Sequence, residues 1–134
     1  MVERHIEELG VTDFIVGHYG AFDRLAAKAV LEAKARHPEI TLFLLLPYHP
    51  TERPIIARKG FDGTFSPTGM ENVPRRFAII RANQYMIDSS DYLIAYVRNT
   101  IGSAAKILSY AEKQARNRSL GITNLAVPPY AGDS

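Results

Sequence analysis

The sequence predicts a three-layer α/β domain, in which helices cover both faces of a mostly parallel sheet of about four strands. Short, near-continuous apolar runs recur along the chain, as is typical of parallel strands buried on both faces. Between these runs, apolar residues repeat at helical spacing. Alternation of the two patterns predicts an α/β fold with crossover helices. The 134 residues are a natural length for one domain, so we expect a single domain over residues 1–134.

Four apolar runs are the predicted strands, and four segments between them are the predicted helices. The opening helix is stopped by Gly10, and the third begins just after Pro74, a residue favoured at helix starts. The predicted strands span residues 14–16, 42–46, 92–97 and 122–126. The predicted helices span residues 2–9, 22–33, 75–89 and 104–115.

The segment 47–74 interrupts this regular order. It holds five of the eight prolines, and connections this long are often functional or disordered. Because Tyr48, Phe61 and Phe65 supply apolar anchors, we expect an ordered lid or dimer arm. The alternative is a flexible insertion.

Composition and charge exclude several classes of function. The chain has no cysteine, which rules out thiol catalysis, thiolate metal sites and disulfides. Its formal net charge is +2 and it has no long basic run, which argues against nucleic acid as a partner. The longest apolar run, residues 42–47, is too short to cross a bilayer, and the first residues lack a signal-peptide core. We therefore expect a cytoplasmic protein with no membrane partner.

Ligands of open parallel sheets bind beyond the carboxyl ends of the strands. After the first predicted strand, Gly17 and Gly20 flank Tyr19 just ahead of a helix, so backbone N–H groups can approach an anion. The spacing differs from that of the dinucleotide fingerprint. Asp23 falls in the first helical turn, where it is either a partner of the helix dipole or a ligand-binding residue. Tyr19 either packs within the loop or stacks on a base.

The third predicted helix carries arginines suited to phosphate. Its first turn should point at the ligand crevice, where Arg75 or Arg76 can contact a phosphate through two hydrogen bonds. The alternative is an ion pair of such an arginine with Glu71, Asp88 or Asp91. At 100° per residue, one face of this helix comprises Arg76, Ile79, Ile80, Asn83, Met86 and Ile87. A second face comprises Arg81, Gln84 and Asp88.

The loop after the third predicted strand is a second candidate for phosphate binding. Gly102 lets the backbone come close to a ligand, and Thr100 or Ser103 is the predicted N-cap of the next helix. The alternative is that Gly102 and Ser103 serve helix capping alone.

The histidines supply no metal motif. His5, His18, His37 and His49 lack ligand-like spacing, so we predict no metal site, and we predict no cofactor. His49 is a candidate general base, although a lone histidine in a proline-rich loop more often has no catalytic role.

Three segments resemble the SLOG superfamily: FIVGHYGAFDRLAA (residues 14–27), LLPY (45–48) and RANQYMIDSSDYLIA (81–95). The chain looks like the small YpsA-like bacterial members, and the resemblance covers most of its length. The superfamily also contains the Lonely Guy phosphoribohydrolases and the DNA-processing protein A domain, and nucleoside deoxyribosyltransferases look related in architecture. The resemblance implies a Rossmann-like domain that binds a nucleotide or nucleotide-derived ligand at the strand carboxyl ends.

The resemblance also implies roles for particular residues. Residues 17–23 match the glycine-rich first loop, and Arg81 and Met86 match the position of the Lonely Guy Arg-Lys-x-x-Met stretch. Residues 101–106 occupy the place of the Pro-Gly-Gly-x-Gly-Thr-x-x-Glu motif. Lys106 stands where the catalytic glutamate would be, and a lysine cannot stabilise an oxocarbenium-like centre. Phosphate binding is therefore expected, and phosphoribohydrolase activity is not.

The N-terminus departs from the family pattern. Family members usually open with a strand ending in Gly-His-Arg, expected at the sheet centre, whereas this chain starts in the helix that would follow. Either the reading frame is truncated or misassigned, or the sheet closes without that strand. Sheet edges exposed in this way favour association, so we expect a homo-oligomer, with a dimer favoured.

Three functions follow in order of preference. The first is binding of a nucleotide-like small molecule, as a sensor or accessory domain. The second is hydrolysis or transfer at an N-glycosidic bond, with Asp23, Glu71 or Asp88 supplying the carboxylate. The third is a nucleic-acid interaction module. The predicted ligand-binding residues are Gly17, Tyr19, Gly20, Asp23, Arg76, Arg81, Asn83, Gly102 and Ser103.

Overall fold

The computed structural model describes residues 1–17, 21–46, 60–67, 69 and 72–126. The chain divides into two compact units, Met1–Asn72 and Val73–Ser134, which we name the N-terminal unit and the C-terminal unit. Each unit contains helices and strands, and every strand pair described is parallel. The predicted α/β class, Rossmann-like in its alternation of helices and parallel strands, is thereby confirmed. The single domain stays a prediction.

The N-terminal unit is built on a three-stranded parallel sheet. The strand order is β1-β2-β3, so β2 lies in the middle. Asp13 pairs with Thr41 across β1 and β2, and Phe43 pairs with Gly63 across β2 and β3. The elements are α1 (Val2–Glu7), β1 (Asp13–Val16), α2 (Ala21–Arg36), β2 (Thr41–Leu45) and β3 (Gly63–Phe65).

The core of the N-terminal unit lies where α1 and α2 pack against each other and α2 packs against β1 and β2. Leu42 and Ile40 are almost completely buried there, and Val30 and Ala33 of α2 pack with them. These two α2 residues lie three apart, which places both on one helix face. The apolar stripe predicted for this helix is thus the one that meets the sheet.

A short strand lies within the segment predicted as a loop. The backbone N–H of Leu46 donates to the carbonyl of Phe65 at 2.9 Å, and the N–H of Asp62 donates to the carbonyl of Leu42 at 2.8 Å. Phe61 packs against the core, as its predicted anchoring role requires. Residues 47–59, with the anchor Tyr48 and the candidate base His49, lie outside the described residues.

The C-terminal unit carries a smaller, two-stranded parallel sheet. Ile87, Ala111 and Leu120 form its buried core, and Leu93 and Ile122 pack against them. The elements are α3 (Arg75–Asp88), β4 (Tyr92–Ala95), α4 (Ser103–Asn117) and β5 (Gly121–Asn124).

β4 is shorter than the predicted strand over residues 92–97, and Asn124 explains why. Its Oδ1 accepts from the backbone N–H of Val97 at 3.0 Å, and its Nδ2 donates to the Val97 carbonyl at 2.9 Å. The side chain thus takes both backbone groups that a longer strand would offer to its neighbour. At the other end of the pair, a Cβ on Gly121 would lie 2.7 Å from Cδ1 of Tyr92, so these strands pair closely because glycine stands there.

The apolar face predicted for α3 is wrong for two of its members. Ile79 is 36% exposed and Ile80 is 40% exposed, whereas Ala78 and Ala82 are buried together with Ile87. The buried face is therefore carried by small alanines, spaced four residues apart as one helix face requires. A pattern weighted by large apolar side chains selects the wrong face.

No helix in the described part of the chain is both long enough and apolar enough to cross a membrane.

Candidate functional site

A groove of about 390 Å³ lies in the C-terminal unit beside α4. One residue of α3 contributes to it, together with the loop that precedes α4 and the first turns of α4 itself. Positions 106, 109, 110 and 113 of α4 share one helix face because of their three- and four-residue spacings. The lining residues are Gln84, Thr100, Ile101, Gly102, Ala105, Lys106, Ser109, Tyr110 and Lys113.

Gly102 shapes the end of the groove where α4 begins. It is the N-cap, with φ 110° and ψ 177°, a conformation that is essentially restricted to glycine. Because glycine has no side chain, it cannot bond to the first N–H groups of the helix, which have no partners within the helix. The predicted N-cap, Thr100 or Ser103, is wrong: Ser103 is the first residue of the helix, and Thr100 lines the groove.

The groove is electropositive. Lys106 and Lys113 both line it, and none of the nine lining residues that the structure describes is an aspartate or glutamate. The first turn of α4 also contains no acidic residue, so the positive end of the helix dipole adds to the lysine charges. This arrangement favours an anionic ligand.

Tyr110 is held in place at the side of the groove by Asp88. The phenol O–H donates to the Asp88 carboxylate and lies 2.8 Å from both of its oxygens. Burial of the ring raises the pKa of Tyr110, and the bond to Asp88 raises it further, while the charges of Arg118 and Arg81 act in the opposite direction. The phenol is therefore neutral at ordinary pH and fixed in orientation.

The end of α3 that faces Tyr110 is also held by hydrogen bonds. Arg118 donates from Nη2 to the carbonyl of Ile87 at 2.5 Å. Ser89 and Ser90 donate from their hydroxyls to the carbonyls of Tyr85 and Met86, at 2.9 and 2.6 Å. Backbone N–H groups of Ser89 and Ser90 also donate to the carbonyls of Tyr85 and Ile87, at 3.0 and 3.1 Å, so side-chain and backbone bonds converge on the end of α3 beside Asp88.

The predicted arginine and amide ligands of α3 do not all lie at the groove. The predicted face of Arg81, Gln84 and Asp88 does meet α4, since Gln84 lines the groove and the other two act on Tyr110. Arg76 instead lies over the ring of Phe77, with its guanidinium carbon 4.9 Å from the ring centroid. Asn83, Arg76 and Ser103 are not among the groove residues.

Two predicted residues lie together in the N-terminal unit. A Cβ on Gly17 would lie 3.0 Å from Oδ2 of Asp23, so the carboxylate folds back over the end of β1. The group that closely approaches Gly17 is therefore the Asp23 carboxylate. The same contact places Asp23 at the carboxyl end of β1. Tyr19, Gly20 and the candidate carboxylate Glu71 lie outside the described residues.

Sequence reasoning missed the two groove lysines and Tyr110 as ligand candidates. The sequence resemblance gives Lys106 only the place of the motif's catalytic glutamate, with no role in ligand binding. The available signal was the seven-residue spacing of Lys106 and Lys113, two helical turns, with Ser109 and Tyr110 between them on the same face. Of the predicted ligand residues that the structure describes, Gly102 alone lines the groove.

The fold and the groove define a class: a Rossmann-like α/β protein with an electropositive groove at a helix N-terminus. Comparison with known proteins adds no relative, since no protein-family model, curated protein or solved structure matches the chain. The SLOG resemblance therefore stays a prediction, as do the dimer and the cytoplasmic location.

Proposed function

We propose that this protein binds a nucleotide or nucleotide-derived anion in the groove of the C-terminal unit, as a sensor or accessory domain. The observation that carries the proposal is a groove whose described lining holds Lys106 and Lys113 and no carboxylate. Its volume of about 390 Å³ falls within the ordinary range of small-molecule sites.

The groove suits the two chemical parts of a nucleotide at different places. A phosphate fits the start of α4, where backbone N–H groups and Lys106 provide positive charge. The sugar and base fit farther along the helix, where Tyr110 offers an aromatic ring and Gln84 and Ser109 offer hydrogen bonds. The bond from Tyr110 to Asp88 keeps the ring ordered, which lowers the entropic cost of binding.

Binding is favoured over cleavage of an N-glycosidic bond because no carboxylate among the described lining residues of the groove can assist that chemistry. Asp88, one predicted catalytic candidate, accepts the Tyr110 hydroxyl and acts as a positioning residue. Asp23 lies in the N-terminal unit beside Gly17. Incubation with nucleoside monophosphates, followed by chromatography, should show no release of free base. Time-dependent release that is lost in Asp23→Ala would establish the enzyme instead.

Calorimetric titration with adenosine monophosphate, adenosine and inorganic phosphate tests the binding proposal. We expect the monophosphate to bind more tightly than either fragment, since it alone engages both parts of the groove. Lys106→Gln should weaken monophosphate binding by about tenfold, the effect of a lost charge-assisted hydrogen bond. Lys28→Gln makes the same charge change at an exposed position of α2 and should leave the affinity for the monophosphate unchanged.

Two results would overturn the assignment. One is a folded wild-type protein that binds no nucleoside mono-, di- or triphosphate. The other is an equal loss of affinity in Lys106→Gln and Lys28→Gln, because that would place the effect in the net charge of the chain and not in the groove.

A further inference from the structure

A second cluster of polar side chains lies in the N-terminal unit, where α1 meets the end of α2. Nε2 of His37 lies 3.0 Å from Oε2 of Glu3 and 3.5 Å from Oε1 of Glu7. One ligand atom from each of the three residues falls within 4.8 Å of the others. From this geometry we propose that Glu3, Glu7 and His37 bind one divalent transition-metal ion of the Zn²⁺ type, which ties α1 to α2.

The distances fit a metal centre. With Zn–N and Zn–O bonds of about 2.1 Å and tetrahedral angles, neighbouring ligand atoms lie about 3.4 Å apart. The two separations measured from Nε2 of His37, 3.0 and 3.5 Å, bracket that value. One imidazole and two carboxylates are ligands that zinc accepts, and three protein ligands leave a fourth position for water or a further ligand.

The residues around the cluster act as supports for such ligands. Nδ1 of His37 lies 3.7 Å from Oε1 of Glu39, within ion-pair range but beyond hydrogen-bond length, so Glu39 adds negative charge behind the ring. Nε of Arg36 donates to Oε1 of Glu3 at 2.8 Å, which leaves Oε2 directed at His37.

The charge of the cluster also calls for a cation. Glu3, Glu7 and Glu39 bring three negative charges, and Arg36 returns one positive charge. Leaving the imidazole aside, these groups carry an excess of two negative charges, although the whole chain has a formal net charge of +2. A divalent ion balances that excess.

The backbone holds the ligands in position before any ion arrives. Glu3 and Glu7 are four residues apart on α1, which places them on one helix face. His37 directly follows α2, and its N–H donates to the Ala33 carbonyl at 2.9 Å. Ile6 and Ala33 pack in the same core. The spacing of the histidines predicts no metal site, because only one of the three ligands is a histidine. The other two are glutamates of α1, far from His37 in the sequence.

Calorimetric titration of the untagged protein with Zn²⁺, in a buffer free of chelators, tests the proposal. We expect one ion per chain. Glu7→Gln should weaken that binding by tenfold or more, because it removes one metal ligand. Glu7 is largely exposed, and the described hydrogen bonds of Arg36 go to Glu3 instead. Glu8→Gln is the matched control: it removes the neighbouring carboxylate, which pairs with Arg4 at 2.8 Å, and should leave Zn²⁺ affinity unchanged.

His37→Gln provides a second variant, and hydrogen exchange provides a second readout. Zn²⁺ should slow amide exchange over residues 2–7 in the wild type and not in His37→Gln, because the ion joins α1 to the end of α2. The proposal fails if the wild type binds no Zn²⁺, if Glu7→Gln and Glu8→Gln bind it equally, or if His37→Gln keeps the protection of α1.

Discussion

The two units of this chain differ in how their residues are used. Among the residues that the structure describes, the N-terminal unit has a three-stranded sheet and nine buried apolar residues, whereas the C-terminal unit has two strands and five. The larger core packs around β2, with almost fully buried Leu42 at its centre. The smaller core includes Ala111, a residue that contributes little apolar area.

The charged groups differ in the same way. In the N-terminal unit they pair with each other, as Lys34 does with Asp62 and Arg36 does with Glu3. In the C-terminal unit, Lys106 and Lys113 line a groove whose described lining offers them no carboxylate. The N-terminal unit therefore pairs charges of opposite sign within its fold, while the C-terminal unit keeps positive charge available for a ligand.

The largest expected effect comes from truncating one core residue in each unit. Leu42→Ala should cost about 3–5 kcal/mol, and Ile87→Ala about 2–3 kcal/mol, within the range for such substitutions. The smaller value follows because Ile87 packs in the smaller core. Urea unfolding gives the totals, and hydrogen exchange over residues 41–45 and 92–95 separates the units. An equal or greater cost for Ile87→Ala would contradict the ranking of the two cores.

A smaller effect is expected at the start of α4. Gly102→Ala places a Cβ on a residue with φ 110°. We expect the free energy of unfolding to fall by about 1–3 kcal/mol because of backbone strain. Steric contact adds nothing, since a Cβ there meets no atom within 4 Å. If the groove binds nucleotides, this variant should also weaken them by misplacing the first N–H groups. Ser103→Ala is the neighbouring control and should cost far less. Unchanged stability in Gly102→Ala would show that the helix start does not need this conformation.

The helices and every described strand except β3 were predictable because their residues interact locally or repeat with a regular period. The apolar run around Leu42 predicts β2, and the stripe containing Val30 predicts the buried face of α2. β3 was not predictable, since Gly63–Phe65 is too short for a periodic signal and forms by pairing with Phe43–Leu45. The buried face of α3 was missed because Ala78 and Ala82 carry little hydrophobic weight.

The candidate sites were predictable only where backbone conformation decides them. Gly102 was selected because glycine permits close backbone approach, and that choice is consistent with its place in the groove. Lys106 and Lys113 carry no motif, and their role depends on which face of α4 borders the groove. The cluster of Glu3, Glu7 and His37 joins residues from α1 and the end of α2, so no local spacing reveals it.

The smallest expected effect is a pH dependence in the N-terminal unit. Asp62 accepts hydrogen bonds from Lys34 Nζ at 2.5 Å and from the backbone N–H of Leu42 at 2.8 Å. The bond to Lys34 lowers the pKa of Asp62, and the bond to Leu42 lowers it further. A carboxyl group with a lowered folded-state pKa stabilises the fold above its unfolded pKa. That stabilisation is lost as the pH falls through the folded value.

Acid titration of urea stability should therefore separate two lysines of the same helix. Lys34→Gln removes the first cause of the lowered pKa, so this variant should lose less stability than the wild type as the pH falls through the acid range. Lys28→Gln makes an equal charge change at an exposed position of α2. It should leave the dependence of stability on pH near that of the wild type. The two lysine variants differ in one contact, the bond to Asp62. Matching profiles would therefore mean that long-range charge, and not this ion pair, sets the acid sensitivity of the sheet around β2.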